Sequence, residues 1–365
     1  MPYHYLSRSS AILAFLIAYI LIPIPSGFGT NEVIAATGLV RTLTALCDHI
    51  GLPEEHRRFA PHFRYTVLPY ADEPEGHSDD TKPLPFHVTA RRLPTYFLSH
   101  GGPNVMYETD HPAYAELQKI GLEITQQNKP KAVVVFSAHW QAEPNVIEIN
   151  TAVHTDMIYD FSGFPPHYYE VQWPHKGSLQ LAERLIQMCG DAGIKAEGVT
   201  RGPDHGVWAG FMVAFNPKTN PLTVPVVQVS LFDSEDADQH YRLGQAVFAL
   251  RDEGVQIICT GMSVHNLRDF RRMRTMGATA GEPSYTETFD DALKHAAETK
   301  PEDRQKAMRT LLGTPLARKA HPTFDHILPV HVAAGAAGND SGKQLWTMAE
   351  GSLAWGQFRF GEVGA

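Results

Sequence analysis

The chain has 365 residues, a formal net charge of −9 and 43% hydrophobic residues, which is the composition of a globular protein able to bury a large core. The pI near 6.1 leaves no basic face to neutralise a phosphate backbone, so we expect no nucleic-acid partner. Three scattered cysteines, Cys47, Cys189 and Cys259, form neither a zinc-binding pair nor an even disulfide framework, which favours a reducing compartment.

A continuous apolar run at residues 11–22 follows Arg8 near the N-terminus. It is shorter than the roughly 20 residues that span a bilayer, but it has the length of a signal-peptide core. For residues 1–29 we keep three interpretations open: a signal peptide, a membrane anchor, or a buried helix of an extension. We therefore expect a cytoplasmic protein, or an anchored or secreted one that contacts a membrane only if this segment acts as a signal or is retained.

Residues 30–91 form an extension and a polar linker, because residues 71–89 are rich in Asp, Glu, Pro, Gly and Ser and cannot bury a face. Residues 92–365 form the main domain, in which apolar strands alternate with amphipathic helices. Strands are predicted at 93–99, 132–137, near 194, at 225–231 and 255–260, and around 345 and 355; helices are predicted at 112–127, 179–190, 236–252, 284–299, 301–312 and 323–337. This order predicts a single α/β domain with a mixed central β-sheet flanked by helices.

Three histidines follow predicted strands: His100, His139 and His265. In open α/β sheets, the groups beyond the carboxyl ends of strands line the ligand crevice, so these side chains point toward one site. Neutral imidazole binds divalent iron and zinc, which makes His100 and His139 candidate metal ligands. The third ligand is expected near a later helix, where the residues alone leave His321 and His326 open. Each histidine taken singly could also be an ordinary hydrogen-bonded residue at a strand end.

Two histidine motifs are candidates for acid-base chemistry: the one with His205 after Asp204, and the one with His265 before Asn266. A histidine near a metal-bound substrate can take and return protons near neutral pH. In either motif the histidine could instead have a purely structural role. The sequence contains no Gly-x-Ser-x-Gly elbow, no P-loop and no His-Glu-x-x-His, which disfavours hydrolases and kinases.

Six motifs occur in order between Leu93 and the C-terminus: Ser99-His100-Gly101-Gly102-Pro103, Ser137-Ala138-His139-Trp140, residues 158–165, Asp204-His205-Gly206-Val207-Trp208, Ser263-Val264-His265-Asn266-Leu267 and Asp325-His326-Ile327-Leu328-Pro329. On these motifs the chain resembles the class III extradiol ring-cleavage dioxygenases, and within them the DOPA 4,5-dioxygenase type with its catalytic B-subunit-like domain. The resemblance covers roughly Leu93 to the C-terminus.

The resemblance implies a non-haem metal site at the strand ends, with His100, His139 and His326 as ligands. His326 is chosen over His321 because the family's ligand stands directly before x-x-Pro. The resemblance further implies that His265 is the catalytic acid-base and that His205 is a second pocket histidine. Fe(2+) would serve turnover, since zinc cannot change oxidation state, and Zn(2+) could be the bound ion.

The implied reaction is the opening of a catechol ring, DOPA-like, with dioxygen to give a semialdehyde. Tyr159 and Trp208 are candidates for substrate binding, with His167 and Tyr168 nearby, although each could equally be a packed aromatic residue. Two alternatives remain: a zinc-dependent hydrolase that uses the same histidines, and a non-catalytic homologue that binds a metal or ligand without turnover.

Overall fold

The computed structural model describes residues 92–276 and 283–364. The apolar run at 11–22, the extension and linker at 30–91 and Cys47 lie outside the described residues. Cys189 and Cys259 are buried, free thiols. Across the described ranges, no helix is both long enough and apolar enough to cross a membrane.

Eleven strands occur in the described part of the chain and form two sheets. In chain order they are β1 (Thr95–Ser99), β2 (Ala132–Gln141), β3 (Val146–Asn150), β4 (Lys195–Val199), β5 (Val226–Leu231), β6 (Val255–Gly261), β7 (Val264–His265), β8 (Gly342–Trp346), β9 (Ala349–Glu350), β10 (Leu353–Ala354) and β11 (Gln357–Phe360). The large sheet has the order β4-β3-β5-β2-β6-β1-β11-β8, and the small sheet has the order β7-β10-β9.

The large sheet is mixed, as the sequence predicts. Strands β5, β2, β6 and β1 are parallel neighbours, so their carboxyl ends share one edge. Strands β11 and β8 continue the sheet in antiparallel pairings, and β3 pairs with β5 in the antiparallel sense. The expectation of an α/β domain with a mixed central sheet is therefore confirmed.

Nine α-helices accompany these strands in the described residues. They are α1 (Pro112–Leu122), α2 (Leu179–Asp191), α3 (His205–Ala214), α4 (Ala237–Val247), α5 (Leu267–Met276), α6 (Tyr285–Glu298), α7 (Pro301–Leu312), α8 (Pro315–Ala320) and α9 (Leu328–Ala336). Several starts are fixed by side-chain caps: the Ser178 hydroxyl accepts the Leu181 N–H before α2, and Asp236 accepts two N–H groups before α4.

The core lies on both faces of the large sheet, because successive strand side chains point to opposite sides. Val134 and Phe136 of β2 belong to one buried cluster, while Val133 and Val135 belong to the other. Strand β1 divides in the same way, with Phe97 in the first cluster. The β-branched run predicted as a doubly buried strand is therefore packed from both sides.

Two predicted boundaries are wrong in ways that affect the site. The last predicted helix, 323–337, begins at Leu328, because Pro329 fits only the first turn of a helix. His326 consequently lies in the turn before α9 and not inside a helix. Strand β2 continues to Gln141, so His139 lies within this strand rather than after it.

The sequence prediction had no counterpart for the helices α3, α5 and α8 or for the strands β3, β7 and β9. Helix α3 is instructive because nearly every residue of it is buried. A helix that is apolar all round has no 3.6-residue polar periodicity to detect. The predicted helix at 236–252 is also shorter, since α4 gives way to a 3-10 turn at Phe248–Arg251.

Helices α4 and α9 pack closely through glycine, which yields a stability prediction. A Cβ on Gly335 would stand 2.0 Å from the Tyr241 carbonyl oxygen, so Gly335→Ala forces the two backbones apart. We expect a loss of about 2 kcal/mol in the free energy of unfolding, measured by urea denaturation. Gly190→Ala in α2 is the matched control, because its Cβ meets nothing within 4 Å; it should stabilise by about 0.5 kcal/mol. Equal effects of the two variants would contradict the packing argument.

Candidate metal centre and active site

Five of the histidines singled out from the sequence meet in one cluster. Ring centroids are 5.1 Å apart for His100 and His139, 5.4 Å for His100 and His326, and 4.1 Å for His139 and His205. The ring of His265 stacks on that of His326 at 3.6 Å with 15° between the planes. Positions separated by more than 200 residues therefore form a single site.

The parallel strands bring the first ligands together at one sheet edge. Ser99 of β1 pairs with Gly261 of β6, and the His100 N–H continues this pairing by donating to the Gly261 carbonyl at 3.0 Å. In the pairing of β2 with β5, Phe136 is opposite Val229 and Gln141 is opposite Leu231. Because β2 has more residues than β5 between these two pairs, β2 bulges there. The bulge contains His139, and bulges of this kind re-aim side chains.

The turn that carries His326 is held against the end of β6. The His326 carbonyl oxygen accepts the Met262 N–H at 3.0 Å. A Cβ on Gly261 would lie only 2.2 Å from that same carbonyl oxygen, so only glycine allows this approach. His326 is thus aimed by backbone contacts to β6 and not by a helix.

His100 is fixed in one tautomer by its neighbour. Its Nδ1 lies 2.6 Å from the Gly101 carbonyl oxygen, which can only accept, so Nδ1 carries the proton. Its Nε2 then presents a bare lone pair that is buried and has no hydrogen-bond partner. Burial, followed by the neighbouring histidines, lowers the pKa of His100 well below the ordinary value, which keeps the ring neutral. An orphaned lone pair of this kind fits a metal ion.

His139 and His326 are oriented in the same way by carboxylates. The Nδ1 of His139 donates to Asp160 Oδ2 at 2.7 Å, and the Nδ1 of His326 donates to Asp325 Oδ2. Both Nε2 atoms are therefore directed away from their carboxylates, and they lie 3.2 Å apart. Two lone pairs at this separation repel unless a positive charge, a proton or a metal ion, lies between or beside them.

The electrostatics of the cluster favour such a positive charge. Burial opposes protonation of His139, but the hydrogen bond to Asp160 and nearby carboxylates outweigh it and raise the pKa of His139. Burial works to raise the pKa of Asp160, yet the hydrogen bonds from His139 and His205 hold the pKa of this carboxyl far below its usual value. A divalent cation would supply the charge that this site is built to attract.

His205 is the first residue of α3 and shares the Asp160 carboxylate. Asp160 Oδ1 accepts both the His205 Nδ1–H at 2.7 Å and the His205 backbone N–H at 3.0 Å. The ligand atoms of His100, His139 and His205 all lie within 4.8 Å of one another, and so do those of His265, Asp325 and His326. The first set contains His205 and not His326, whose Nε2 nevertheless lies 3.2 Å from the Nε2 of His139.

His265 differs from the other histidines because its ring is free. Within the described ranges no group is hydrogen-bonded to it, although it stacks on His326. Burial, together with the neighbouring His326 and His321, lowers the pKa of His265 well below the ordinary value. A neutral ring with uncommitted nitrogens can accept a proton from a ligand in the site.

His321, the alternative to His326, has a different position. Its Nε2 donates to the Ser263 carbonyl at 2.9 Å, so it supports the segment that leads to His265. It is fully buried and lies outside both groups of possible metal ligands in the described residues. The structure therefore brings His326, and not His321, next to His139.

Asp160 and Asp204 were not given roles from the sequence. Asp204 is fully buried, and it accepts hydrogen bonds from the Ser137 hydroxyl at 2.7 Å, from Gln228 at 2.5 Å and from Arg201 at 2.9 Å. It thereby ties β2 and β5 to the start of α3, next to His139 and His205. The available signals were the place of Asp160 in the 158–165 motif and the place of Asp204 directly before His205 in its motif.

The aromatic candidates pack behind the histidines rather than among them. The Trp208 side chain is fully buried, and its indole N–H donates to the Ile158 carbonyl at 3.0 Å. The Tyr159 hydroxyl donates to the Val171 carbonyl at 2.5 Å. Phe161 and Trp208 both contact the His205 ring, at 5.4 and 6.4 Å between centroids, and Tyr159 packs against both of them. His167 and Tyr168 contact the exposed Tyr107.

Comparison with known proteins agrees with this site. Residues 94–355 match the family described as the catalytic LigB subunit of aromatic ring-opening dioxygenase. A protein of Beta vulgaris named 4,5-DOPA dioxygenase extradiol is 34% identical over 275 residues, covering 73% of this chain and 96% of the relative. A protein of the same name from Escherichia coli K12 is 31% identical over 250 residues, covering 68% and 87%.

A solved structure shows the same fold. It is the crystal structure of an uncharacterized protein from Escherichia coli K12, with a TM-score of 0.59 and 27% identity over 74% of this chain and 100% of that chain. Members of the LigB family are metal-dependent oxidoreductases, which agrees with the convergent histidine nitrogens. From the family match and the identity to these relatives, the chain belongs to the LigB family of aromatic ring-opening dioxygenases, the class III extradiol enzymes.

Proposed function

We propose that residues 92–365 are the catalytic domain of an extradiol dioxygenase that opens a DOPA-like catechol with dioxygen to a semialdehyde. The observation that supports the proposal is that the rings of His100, His139 and His326 lie within 5.4 Å of one another, centroid to centroid, each with its Nδ1 hydrogen-bonded. The ring of His265 stacks beside them on His326. The family supports an aromatic substrate and dioxygen, and the relatives named as DOPA dioxygenases support the catechol.

In this proposal His100, His139 and His326 hold the metal through Nε2. Gly101, Asp160 and Asp325 keep the three Nδ1 protons in place, which orients the rings and raises their basicity. Iron(II), when bound, supplies Lewis acidity toward the two catechol oxygens and electron transfer between the ring and dioxygen. Zinc fits the same nitrogens but cannot change oxidation state, so it would occupy the site without supporting turnover.

His265 is the proposed acid-base. Because its ring is neutral and its nitrogens are uncommitted, it can accept a proton from a catechol hydroxyl and later return it to a developing oxyanion. The His265 ring lies 3.6 Å from the ring of His326, a proposed metal ligand. His265 is therefore close enough to exchange a proton with a substrate bound at the metal.

His205 is the second catalytic histidine of the proposal. Asp160 fixes its Nδ1 proton, which leaves Nε2 as the atom that can face a ligand. Burial lowers the pKa of His205, so it is neutral at physiological pH and acts as an acceptor at this atom. Phe161 packs on its ring, and Tyr159 and Trp208 support Phe161, so these aromatic side chains shape the wall beside His205.

The first test is oxygen uptake by the iron(II)-loaded protein with DOPA, protocatechuate and simple catechols. We expect oxygen consumption together with a yellow semialdehyde. Hydrolysis on a zinc site would need no oxygen, and a non-catalytic homologue would bind iron without consuming oxygen. Bound iron with no oxygen uptake across this panel would contradict the proposed function.

Variants of two histidines separate the roles of proton transfer and metal binding. His265→Ala should retain iron but lose at least about 100-fold in kcat, because a positioned acid-base contributes on that scale. His100→Ala should lose the metal itself, since it removes a proposed ligand. Iron content by metal analysis and initial rates of oxygen uptake check both variants, with circular dichroism as the fold control. Catechol cleavage at the unaltered rate by either variant would overturn these assignments.

Asp160→Asn tests how the rings are oriented. An amide cannot accept from both histidines with the strength of a carboxylate, so we expect a loss of roughly 10- to 100-fold in metal affinity by calorimetric titration. Asp156→Asn is the control in the same segment, because no hydrogen bond joins the Asp156 side chain to other described residues. If the two variants bound metal equally well, the orienting role of Asp160 would be wrong.

A further inference from the structure

Glu350 lies in the small sheet, in register with the proposed acid-base. Leu353 of β10 pairs with His265 of β7 on one side and with Glu350 of β9 on the other. Cross-strand partners point to the same face of a sheet, so these three side chains share a face. That face is the one on which His265 stacks against His326. Two strand spacings place Glu350 about 10 Å from His265 along this face.

The Glu350 carboxylate is held in place through one oxygen. Its Oε2 accepts the indole N–H of Trp355 at 2.8 Å and lies 3.5 Å from His111 Nε2. His111 Nδ1 accepts the Ala113 N–H, so the other ring nitrogen, Nε2, carries a proton and faces the carboxylate. Among the residues that the structure describes, none donates to Oε1, and the Glu350 side chain is 40% exposed.

Trp355 links this carboxylate to the metal centre. A Cβ on Gly101 would stand 2.0 Å from the Trp355 ring, so the outer edge of the indole lies against the residue that follows His100. Gly101 has φ +65, a left-handed conformation that glycine adopts without strain. The indole also contacts the His111 ring at 4.8 Å. Glu350 is therefore tied through one side chain to the segment that carries His100.

From this juxtaposition we propose that Glu350 selects catechols that carry a protonated amine on the side chain of the ring. The inference rests on the proposed function and names the substrate class of that same site. With the catechol oxygens at the histidine cluster, a substituent on the far side of the ring extends along the shared face of His265, Leu353 and Glu350. The free Oε1 then accepts an N–H of the ammonium group.

Negative charge at the side of the site also favours a substrate that carries an ammonium group. A divalent metal ion at the histidines would offset the charges of Asp160 and Asp325, which leaves Glu350 as the uncompensated carboxylate at the side of the site. The chain as a whole carries a formal charge of −9. A cationic catechol is attracted by this field, while a catechol with only a carboxylate substituent is repelled. Glu350 is consequently a determinant of specificity and takes no part in bond breaking.

The test compares Glu350→Gln with the unaltered iron(II)-loaded protein on three catechols: dopamine (cationic), 4-methylcatechol (neutral) and 3,4-dihydroxyphenylacetate (anionic). Glutamine retains an acceptor for Trp355 but removes the charge. Glu302→Gln on α7 is the matched control, because it removes the same charge from an exposed position on a helix that carries none of the site histidines. Equilibrium binding of the three catechols under nitrogen, by calorimetry, gives a readout that does not depend on turnover.

We expect Glu350→Gln to raise KM and Kd for dopamine about fivefold, the size for a partly exposed ion pair, with kcat retained. Values for 4-methylcatechol should not change, and those for the anionic catechol should fall. Added salt should weaken dopamine binding more in the unaltered protein than in the variant.

An equal loss for all three catechols would show that Glu350 only holds Trp355, and no change for dopamine would show that the amine lies elsewhere; either result overturns the inference. These results differ from failure of the proposed function, in which the unaltered protein opens none of the three rings, and which would remove the basis of the inference as well.

Discussion

Everything in this site depends on where three protons are held. The Nδ1–H groups of His100, His139 and His326 each donate a hydrogen bond to an oxygen that can only accept one, a carbonyl or a carboxylate. Their Nε2 lone pairs are thereby aimed inward, into a buried region where lone pairs repel and an unpaired acceptor is costly. A cation relieves both costs. The repulsion between these lone pairs destabilises the metal-free fold, and a bound metal ion would remove that repulsion and so stabilise the fold.

The fold supplies these acceptors at the edge of a parallel sheet. The pairings of β6 with β1 and with β2 end at the same edge, and β2 continues into a bulge that turns His139 toward His100. Contacts of the Gly261 and Met262 backbone set the turn of His326. His265 belongs to the separate small sheet, and its ring makes no hydrogen bond to the residues that the structure describes. Rigid placement of the proposed ligands and freedom of the proposed acid-base thus come from different elements.

The sequence predicted the sheet, most helices and the five clustered histidines, because strand ends in parallel sheets converge and the motifs occur in family order. It could not predict how the site is oriented. The proton acceptors are Gly101, Asp160 and Asp325, and their pairing with particular rings depends on three-dimensional approach. Helix α3 lacked a periodic signal because it is buried on all sides. The indole N–H of Trp208, a candidate for substrate contact, donates its hydrogen bond to the Ile158 carbonyl. No pattern in the sequence reveals this pairing.

The central claim is that the Nε2 atoms of His100, His139 and His326 bind one metal ion. Anomalous diffraction at the iron absorption edge, from crystals of the iron(II)-loaded protein grown under nitrogen, tests it most directly. The account predicts a single strong peak within bonding distance of these three atoms, with His265 and His321 unligated. A peak coordinated by His205 in place of His326, or one at His265 and Asp325 apart from His100, would contradict it.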